Sequence, residues 1–509
     1  MSSLALPPEA VAHGRVSRAL PAVFSRRGVD VLLAVALVGF AVVLIEFLPP
    51  SFNVDSWLGL VAGREVWQSG VPHHDVLTAM SHGATWVDQQ WLSQLAMYAL
   101  YLLGGLGLLG VANVALLVLS VAGAIIGARK LGASPRAVLM ILPLCLWLIA
   151  PSHEVRTQEF AMPLFVATAY LLASDSRAPS RRVYWCLPML VLWANLHGSA
   201  TLGAALIGLR GLTLLWERRD SLRLSARAWG RPLILILGAP LCLLATPYGL
   251  SIVSYYRTML LGSTVMHAVS EWQPITSVAV VAVAFFITAG IAVWCCGRDS
   301  SGTTLWERLA LLALAAGSID VIRNVLFFGL LALIVMPVAL GLRAQRGEQP
   351  AARGRGAINA ALSAVALVAL LLATGATLAR PASAIEFNYQ RTGVLTAVEK
   401  ATRADPSLKV LTDVRFSDWL LWRDPALAGK IASDASWELL TSSQLNGLEA
   451  VFNVIGTDWK QGARGYGLIV LDKKYDPNAV QGFLAEPGSR VLYSDSERIV
   501  ILRSAREAG

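Results

Sequence analysis

The chain has 509 residues, 55% of them hydrophobic and 15% charged, and a net charge of +9. Mean hydropathy is +0.58. Soluble domains carry about 25% charged residues, so this composition excludes an ordinary soluble globular protein. The chargeless runs over 31–45 and 358–378 are near the length that crosses a hydrocarbon core of roughly 30 Å as a helix. The basic surplus does not read as nucleic-acid binding, because the basic residues sit in short loops between apolar segments, where they set membrane topology. The five cysteines, Cys145, Cys186, Cys242, Cys295 and Cys296, lie in or beside apolar segments. Neither a disulfide framework nor a zinc site is expected.

Residues 1–29 form an arginine-bearing tail without a small-residue cleavage site, so the first apolar run reads as a retained helix rather than a signal peptide. Apolar segments near 30–48, 107–128, 137–150, 160–173, 183–195, 199–216, 232–246, 278–296, 305–319, 325–342 and 358–379 predict transmembrane helices. The stretch from Trp91 to Ala128 holds no charge and has room for two crossings, or for one preceded by a helix at the membrane surface. Loop charge decides between them. With one crossing and a cytoplasmic N-terminus, the basic loops 129–136, 174–182, 216–231 and 343–356 are inside, and loop 297–308 is neutral. The loop carrying Asp55, Glu65, Asp75 and Asp88, and the one carrying Glu154 and Glu159, are then outside. Two crossings would invert every later loop. The expected architecture is an α-helical polytopic membrane protein. It has about eleven transmembrane helices over 30–380, a first outside loop 49–106 with a juxtamembrane or re-entrant helix at 91–106, and an extracytoplasmic C-terminal α/β domain over 385–509. In that domain 409–411, 430–432, 467–471 and 499–502 read as strands, and 393–404 and 436–448 as helices. No glycine-rich phosphate loop follows a strand, so no nucleotide site is inferred.

Under this topology the unusual polar residues fall at outside helix ends: Asp55, Arg156, Asn195, His197, Glu271 with Trp272, and Asp320, Arg323 and Asn324. Ionisable groups at membrane depth are costly unless paired or facing a wet cavity. For each of them an interfacial anchor or helix cap is the plain competing reading. His73-His74-Asp75 has the look of a metal triplet, but adjacent histidines rarely share one ion and a solvated loop is the better reading. Trp57, Trp67, Trp86 and Trp91 read equally as an aromatic belt. Taken together, a carboxylate to serve as general base, arginines to fork a phosphate and aromatic faces for sugar or lipid suit a transferase that takes a sugar from a lipid-phosphate carrier.

The residues that carry this pattern are Asp55-Ser56-Trp57, Gly63-Arg64, Gly70-Val71-Pro72, Asp75 and Trp86-Val87-Asp88-Gln89-Gln90-Trp91-Leu92, followed by Asn195-Leu196-His197-Gly198, Pro247-Tyr248-Gly249, Glu271-Trp272-Gln273-Pro274 and Arg323-Asn324. In this order they resemble a bacterial branch of the GT-C membrane glycosyltransferases, the superfamily that includes protein O-mannosyltransferases and aminoarabinose transferases. In the C-terminal domain Asp418-Trp419-Leu420-Leu421-Trp422 and Ile431-Ala432-Ser433-Asp434 extend the likeness. Thr246, Ala435-Ser436 and Ser417-Asp418 depart from it. The resemblance implies a GT-C fold, a polyprenyl-phosphate sugar as donor, a glycan, lipid or protein as acceptor, and an acidic base in the first outside loop, which Asp55 matches. It marks Trp57, Arg64, Asp75, Gln90, Trp91, Arg156, Asn195, His197, Glu271, Trp272, Arg323 and Asn324 as candidate substrate contacts. No pattern indicates a cofactor, and a divalent-metal requirement stays open. Two other functions fit the sequence: a transporter or flippase with charges lining a pathway, and a non-catalytic assembly factor on the same fold. If the C-terminal domain is a recognition module, deleting 385–509 is expected to weaken acceptor use and spare the membrane core.

Overall fold

The computed structural model describes residues 26–220, 225–261, 270–298, 302–341, 355–389 and 392–504. Residues 1–25 of the expected tail and most of loop 343–356 lie outside this range. The membrane part runs through α1 (Arg26–Glu46), α2 (Val54–Ser69), α3 (Trp91–Lys130), α4 (Pro135–Ile149), α5 (Met162–Arg177), α6 (Cys186–Leu196), α7 (Ala200–Glu217), α8 (Gly230–Leu243), α9 (Ile252–Leu261), α10 (Ala279–Arg298), α11 (Leu305–Asp320), α12 (Val325–Ala339) and α13 (Arg355–Ala379). Among the described residues, each of the eleven apolar segments is mainly helical. By length and composition alone, five stretches among the described residues suffice to cross a membrane: Trp91–Lys130, Pro135–Ser152, Ala279–Arg298, Ile322–Ala339 and Ala357–Ala379. Others are short for a span, such as α6 with 11 residues and α8 with 14, so the helices do not by themselves give a count of eleven.

The chargeless stretch is divided by its glycines. Gly105 has φ 65° and ψ −164°, a conformation open essentially to glycine alone. It separates 91–103 from 106–130. At 1.5 Å per residue the first piece spans roughly 20 Å, short of a hydrocarbon core. α2 lies directly against this first piece, because a Cβ on Gly63 would sit 2.1 Å from the Gln94 carbonyl oxygen.

The C-terminal part holds α14 (Thr392–Ala404), β1 (Val410–Thr412), α15 (Val414–Arg423), α16 (Ser442–Asn453), β2 (Leu468–Asp472), α17 (Pro477–Leu484), β3 (Arg490–Ser494) and β4 (Arg498–Leu502). The sheet order is β1-β2-β4-β3, with β1 parallel to β2 and the other pairs antiparallel. Alternate strand residues point to opposite faces. Val410, Leu468, Val470 and Val500 join the core that continues into the membrane part, whereas Leu411, Ile469, Leu471, Ile499 and Ile501 pack in a second core with α16 and α17.

Two expectations change here. Residues 490–494, mostly exposed, form a strand that the sequence reading left out, because an edge strand with a wet face lacks a buried apolar run. Residues 430–432 are not a strand of their own. Ile431 bridges singly to Val410 on one side and to Thr78, in the loop between α2 and α3, on the other. The Ala79 N–H donates to the Ile431 carbonyl (2.7 Å), the Met80 N–H to the Ala432 carbonyl (3.0 Å) and the Gly429 N–H to the Leu77 carbonyl (2.9 Å). The loop between α2 and α3 thus extends the edge of the domain's sheet, and the two parts share main-chain hydrogen bonds.

Candidate active site

The site begins with the turn into α2. Asn53 precedes the helix in an extended conformation, and its N–H donates to Ser56 Oγ at 3.1 Å. Asp55 therefore lies in the first helical turn, where the exposed N–H groups favour a negative charge. Ser56 Oγ donates to the Val155 carbonyl, and the Val155 N–H donates to the Ser51 carbonyl at 3.0 Å. These two bonds pin the loop carrying Glu154 and Arg156 against the start of α2. Arg156 itself is extended and 4% exposed.

Arg156 Nη1 stands 3.6 Å from Asp55 Oδ2 and 3.3 Å from Glu154 Oε2, and it also bonds Glu271 Oε1. Glu271 Oε2 reaches Arg323 Nε at 3.6 Å. Arg323 donates to Gln158 Oε1 (3.0 Å) and to His197 Nε2 (2.9 Å). A guanidinium only donates, so Nε2 is an acceptor, while Nδ1 accepts from the Ser199 N–H at 3.1 Å and faces Ser199 Oγ at 2.8 Å. Burial, with Arg323 and Arg156 adding to it, holds the His197 pKa well below the usual histidine value. A neutral, accepting imidazole that orients the Arg323 fork follows from both facts.

These residues line a cavity of about 610 Å³. Asp55, Gln90, Arg156, His197, Glu271, Trp272, Arg323 and Asn324 are all on its wall. The Asp55 side chain keeps 46% of its surface accessible, so this carboxylate is open to a ligand. The surrounding protein displaces part of its water and so raises its pKa, opposed by Arg156 and Arg323 and reinforced by Glu271. Burial also raises Glu154. Glu271 is pulled down overall, since its two arginines outweigh the burial that opposes them.

The other five candidates lie off the wall. Trp57 is fully buried and meets the Tyr389 ring edge-on at 5.3 Å. Asp75 accepts from the Leu77 N–H (2.8 Å), Thr78 Oγ1 (2.6 Å) and Ser81 Oγ (2.8 Å), shaping the turn that carries 77–80 to the C-terminal sheet. Trp91 Nε1 donates to Asn195 Oδ1 at 3.0 Å, and Asn195 Nδ2 donates to the Ala245 carbonyl at 2.9 Å. That pair fastens α3 to α6 and to the start of the 246–249 turn. Arg64 donates to the carbonyls of Leu421 (2.7 Å) and Trp422 (3.0 Å) and lies over the Trp422 ring, serving the free carbonyls at the end of α15. Arg64→Ala is expected to cost about 2–3 kcal/mol, the scale of hydrogen bonds from a charged group. A lowered thermal midpoint with unchanged KM would show this, whereas a substrate contact would move KM first.

Sequence reasoning missed Glu154, Gln89, Gln94, Thr157, Tyr255, Tyr256, Trp437 and Glu438 on the cavity wall. Glu154 stood two residues from Arg156, and Gln89 beside Gln90, so proximity in the motif was a usable signal for both. Trp437 and Glu438 come from the C-terminal domain, and nothing local marks them. Burial pushes the Glu438 pKa up to about 8, with Asp434 and Asp88 adding to it. The histidine pair is apart from any such cluster: His73 packs edge-on against Tyr248 and His74 Nδ1 faces the Gly83 carbonyl. Among the described residues no three His, Cys, Asp or Glu side chains are placed to hold a metal ion.

No family model matches the chain, and no curated protein matches it. Solved structures do. ArnT from Cupriavidus metallidurans bound to undecaprenyl phosphate is 15% identical with a TM-score of 0.54, covering 94% of this chain and 99% of that one. The same protein in the apo state is 16% identical with a TM-score of 0.52, at 94% and 99% coverage. The Archaeoglobus fulgidus oligosaccharyltransferase, tethered with an acceptor peptide containing the NVT sequon, is 12% identical with a TM-score of 0.53, covering 96% of this chain and 75% of that one. At these identities the likeness is one of fold, and over nearly its whole length the chain has the GT-C fold of these structures.

Proposed function

We propose that the protein is a membrane glycosyltransferase that moves a sugar from a polyprenyl-phosphate carrier to an acceptor on the outer face of the cytoplasmic membrane. The observation that carries this reading is one cavity in which an accessible carboxylate, Asp55, faces two guanidiniums, Arg156 and Arg323. The structure matched from Cupriavidus metallidurans holds undecaprenyl phosphate, which supports a lipid-phosphate donor. In this reading the proton of an acceptor hydroxyl passes to Asp55 while the oxygen attacks the sugar's anomeric carbon. The bond from that carbon to the phosphate oxygen breaks, and the lipid phosphate leaves with its charge held by the arginines. Trp272, Tyr255, Tyr256 and Trp437 supply aromatic wall for sugar and acceptor. Eleven crossings, a cytoplasmic N-terminus and an outside C-terminal domain complete the proposal, supported by the basic loops on one side.

A transport pathway finds little support. The buried charges Asp175 and Arg210 pair with each other at 3.0 Å, together with Arg231 and Glu217. They sit at the far end of α5 from Arg156, roughly 20 Å along the helix, and they neutralise one another there.

Two measurements test the proposal. Lipid-linked sugar pools should accumulate the unused donor in cells lacking the protein, and equally in cells carrying Asp55→Asn. The transfer rate should rise with pH through the raised Asp55 pKa, because only the ionised carboxylate takes a proton. A rate that stays flat down to about pH 4, the ordinary aspartate value, would remove Asp55 from the role of base.

A further inference from the structure

Three carboxylates converge on one nitrogen. Asp55 Oδ2, Glu154 Oε2 and Glu271 Oε1 all contact Arg156 Nη1. They come from the start of α2, from the loop before α5 and from the turn before α10, so the meeting point is made by the tertiary fold. Carboxylate oxygens are the ligand type that a divalent cation takes, but at 3.6 and 3.3 Å from Nη1 the Asp55 and Glu154 oxygens are spaced around a guanidinium, and among the described residues no three such side chains are placed to hold a metal ion. Here the point is filled by a guanidinium that keeps its proton at any working pH. Its side chain is only 5% exposed, and Asn113 Nδ2, from the middle of α3, donates to the Arg156 carbonyl at 3.4 Å. The arginine cannot swing away without leaving three carboxylates facing one another. Asp55, Glu154 and Glu271 would carry −3 when ionised, and Arg156 with Arg323 carries +2. A free divalent ion therefore meets one resident cation inside its would-be ligand shell and a second beside it.

We propose that Arg156 is a built-in counter-ion that stands where a divalent metal would and, with Arg323 beside it, supplies the positive charge of one, so that transfer at this site runs without a metal. The functional half of this inference rests on the transferase reading above, and the binding half does not. The lysine variant tests whether charge alone is enough, because an ammonium keeps the charge but not the planar fork.

The test uses the full-length protein in detergent, stripped with EDTA and titrated with Mn²⁺ by calorimetry and electron paramagnetic resonance. Wild type is expected to bind Mn²⁺ no tighter than about 1 mM, the weak end for oxygen-ligand sites, and to transfer sugar at an unchanged rate in EDTA. Arg156→Ala leaves the carboxylates without their cation and should bind Mn²⁺ at least about tenfold tighter, with Glu271→Gln in the same chain reversing the gain. Arg156→Lys should behave as wild type towards Mn²⁺. Micromolar Mn²⁺ binding by wild type that Glu154→Gln or Glu271→Gln removes would overturn the proposal. So would loss of transfer in EDTA with recovery on adding Mn²⁺, or a folded Arg156→Ala protein that gains no affinity. If Arg156→Ala does not fold, the wild-type and Glu271→Gln titrations decide. A wild type without transferase activity would count against the function, while the Mn²⁺ titrations still judge the counter-ion.

Discussion

Asp55→Asn is expected to lower sugar transfer by about 10²–10⁴-fold, the range for removing a general base, without unfolding the protein. The amide keeps the size of the carboxylate and its place in the first turn of α2. The contact that is lost runs to Arg156 at 3.6 Å, and Arg156 retains Glu154 and Glu271, so no guanidinium is left bare in the interior. The Asp55 side chain is also nearly half accessible, which keeps the stability cost small. Purified wild type and variant should elute alike from size exclusion in detergent and melt within a few degrees of each other. A variant that retains more than about a tenth of the wild-type rate would assign the base elsewhere, with Glu154 the next carboxylate on the wall.

The second large effect is on the C-terminal domain. Deletion of 385–509 is expected to abolish expression of a folded membrane part, which reverses the outcome anticipated for a detachable recognition module. The reason is shared core. Trp57, Leu60, Val61 and Leu77 belong to the same buried cluster as Tyr389, Phe416, Trp419 and Leu420. Deletion would strip their partners, and fully burying one large apolar side chain contributes about 1.5–3 kcal/mol. The bonds from Arg64 to α15 and the main-chain bonds between 77–80 and 429–432 would go with it. Losses on this scale approach the whole of a typical net stability, about 5–15 kcal/mol. Fluorescence-detected size exclusion of the truncated chain would show aggregate or nothing. A monodisperse truncated core would restore the module reading. Trp437 and Glu438 on the cavity wall add that even a surviving core would carry an incomplete site.

Within the C-terminal domain, the motif residues Asp418 and Asp434 are buried at 1% and 3% exposure. Burial, with Asp75 adding to it, raises Asp434 to about 7, and burial, with Asp434 adding to it, raises Asp418 well above the usual aspartate value. The two segments that the resemblance singled out thus carry a buried acid pair, tied together where the Ala435 N–H donates to Asp418 Oδ2 at 3.2 Å.

Much of this molecule was legible along the chain because periodicity, charge and punctuation are local properties. Apolar runs become helices wherever they occur, loop charges set a short helix at 91–106 apart from the crossing that follows, where the structure breaks at 104–105, and alternating short runs announce an α/β unit. The cost of a lone charge at membrane depth also singled out Asp55, Arg156, His197, Glu271 and Arg323, and all five reach one wall. What that cost does not say is who the partner is. Asn195, singled out as a polar helix end, and Trp57, Arg64, Asp75 and Trp91, marked by the resemblance, have as partners a tyrosine ring, helix-end carbonyls, a turn and each other. A polar side chain is satisfied equally by main chain or by ligand, so only the tertiary structure separates the two. It alone paired Ile431 with Thr78 across some 350 residues of chain, brought Trp437 and Glu438 over the cavity, and set three carboxylates on a single guanidinium nitrogen, because contacts between distant segments leave no trace in local pattern.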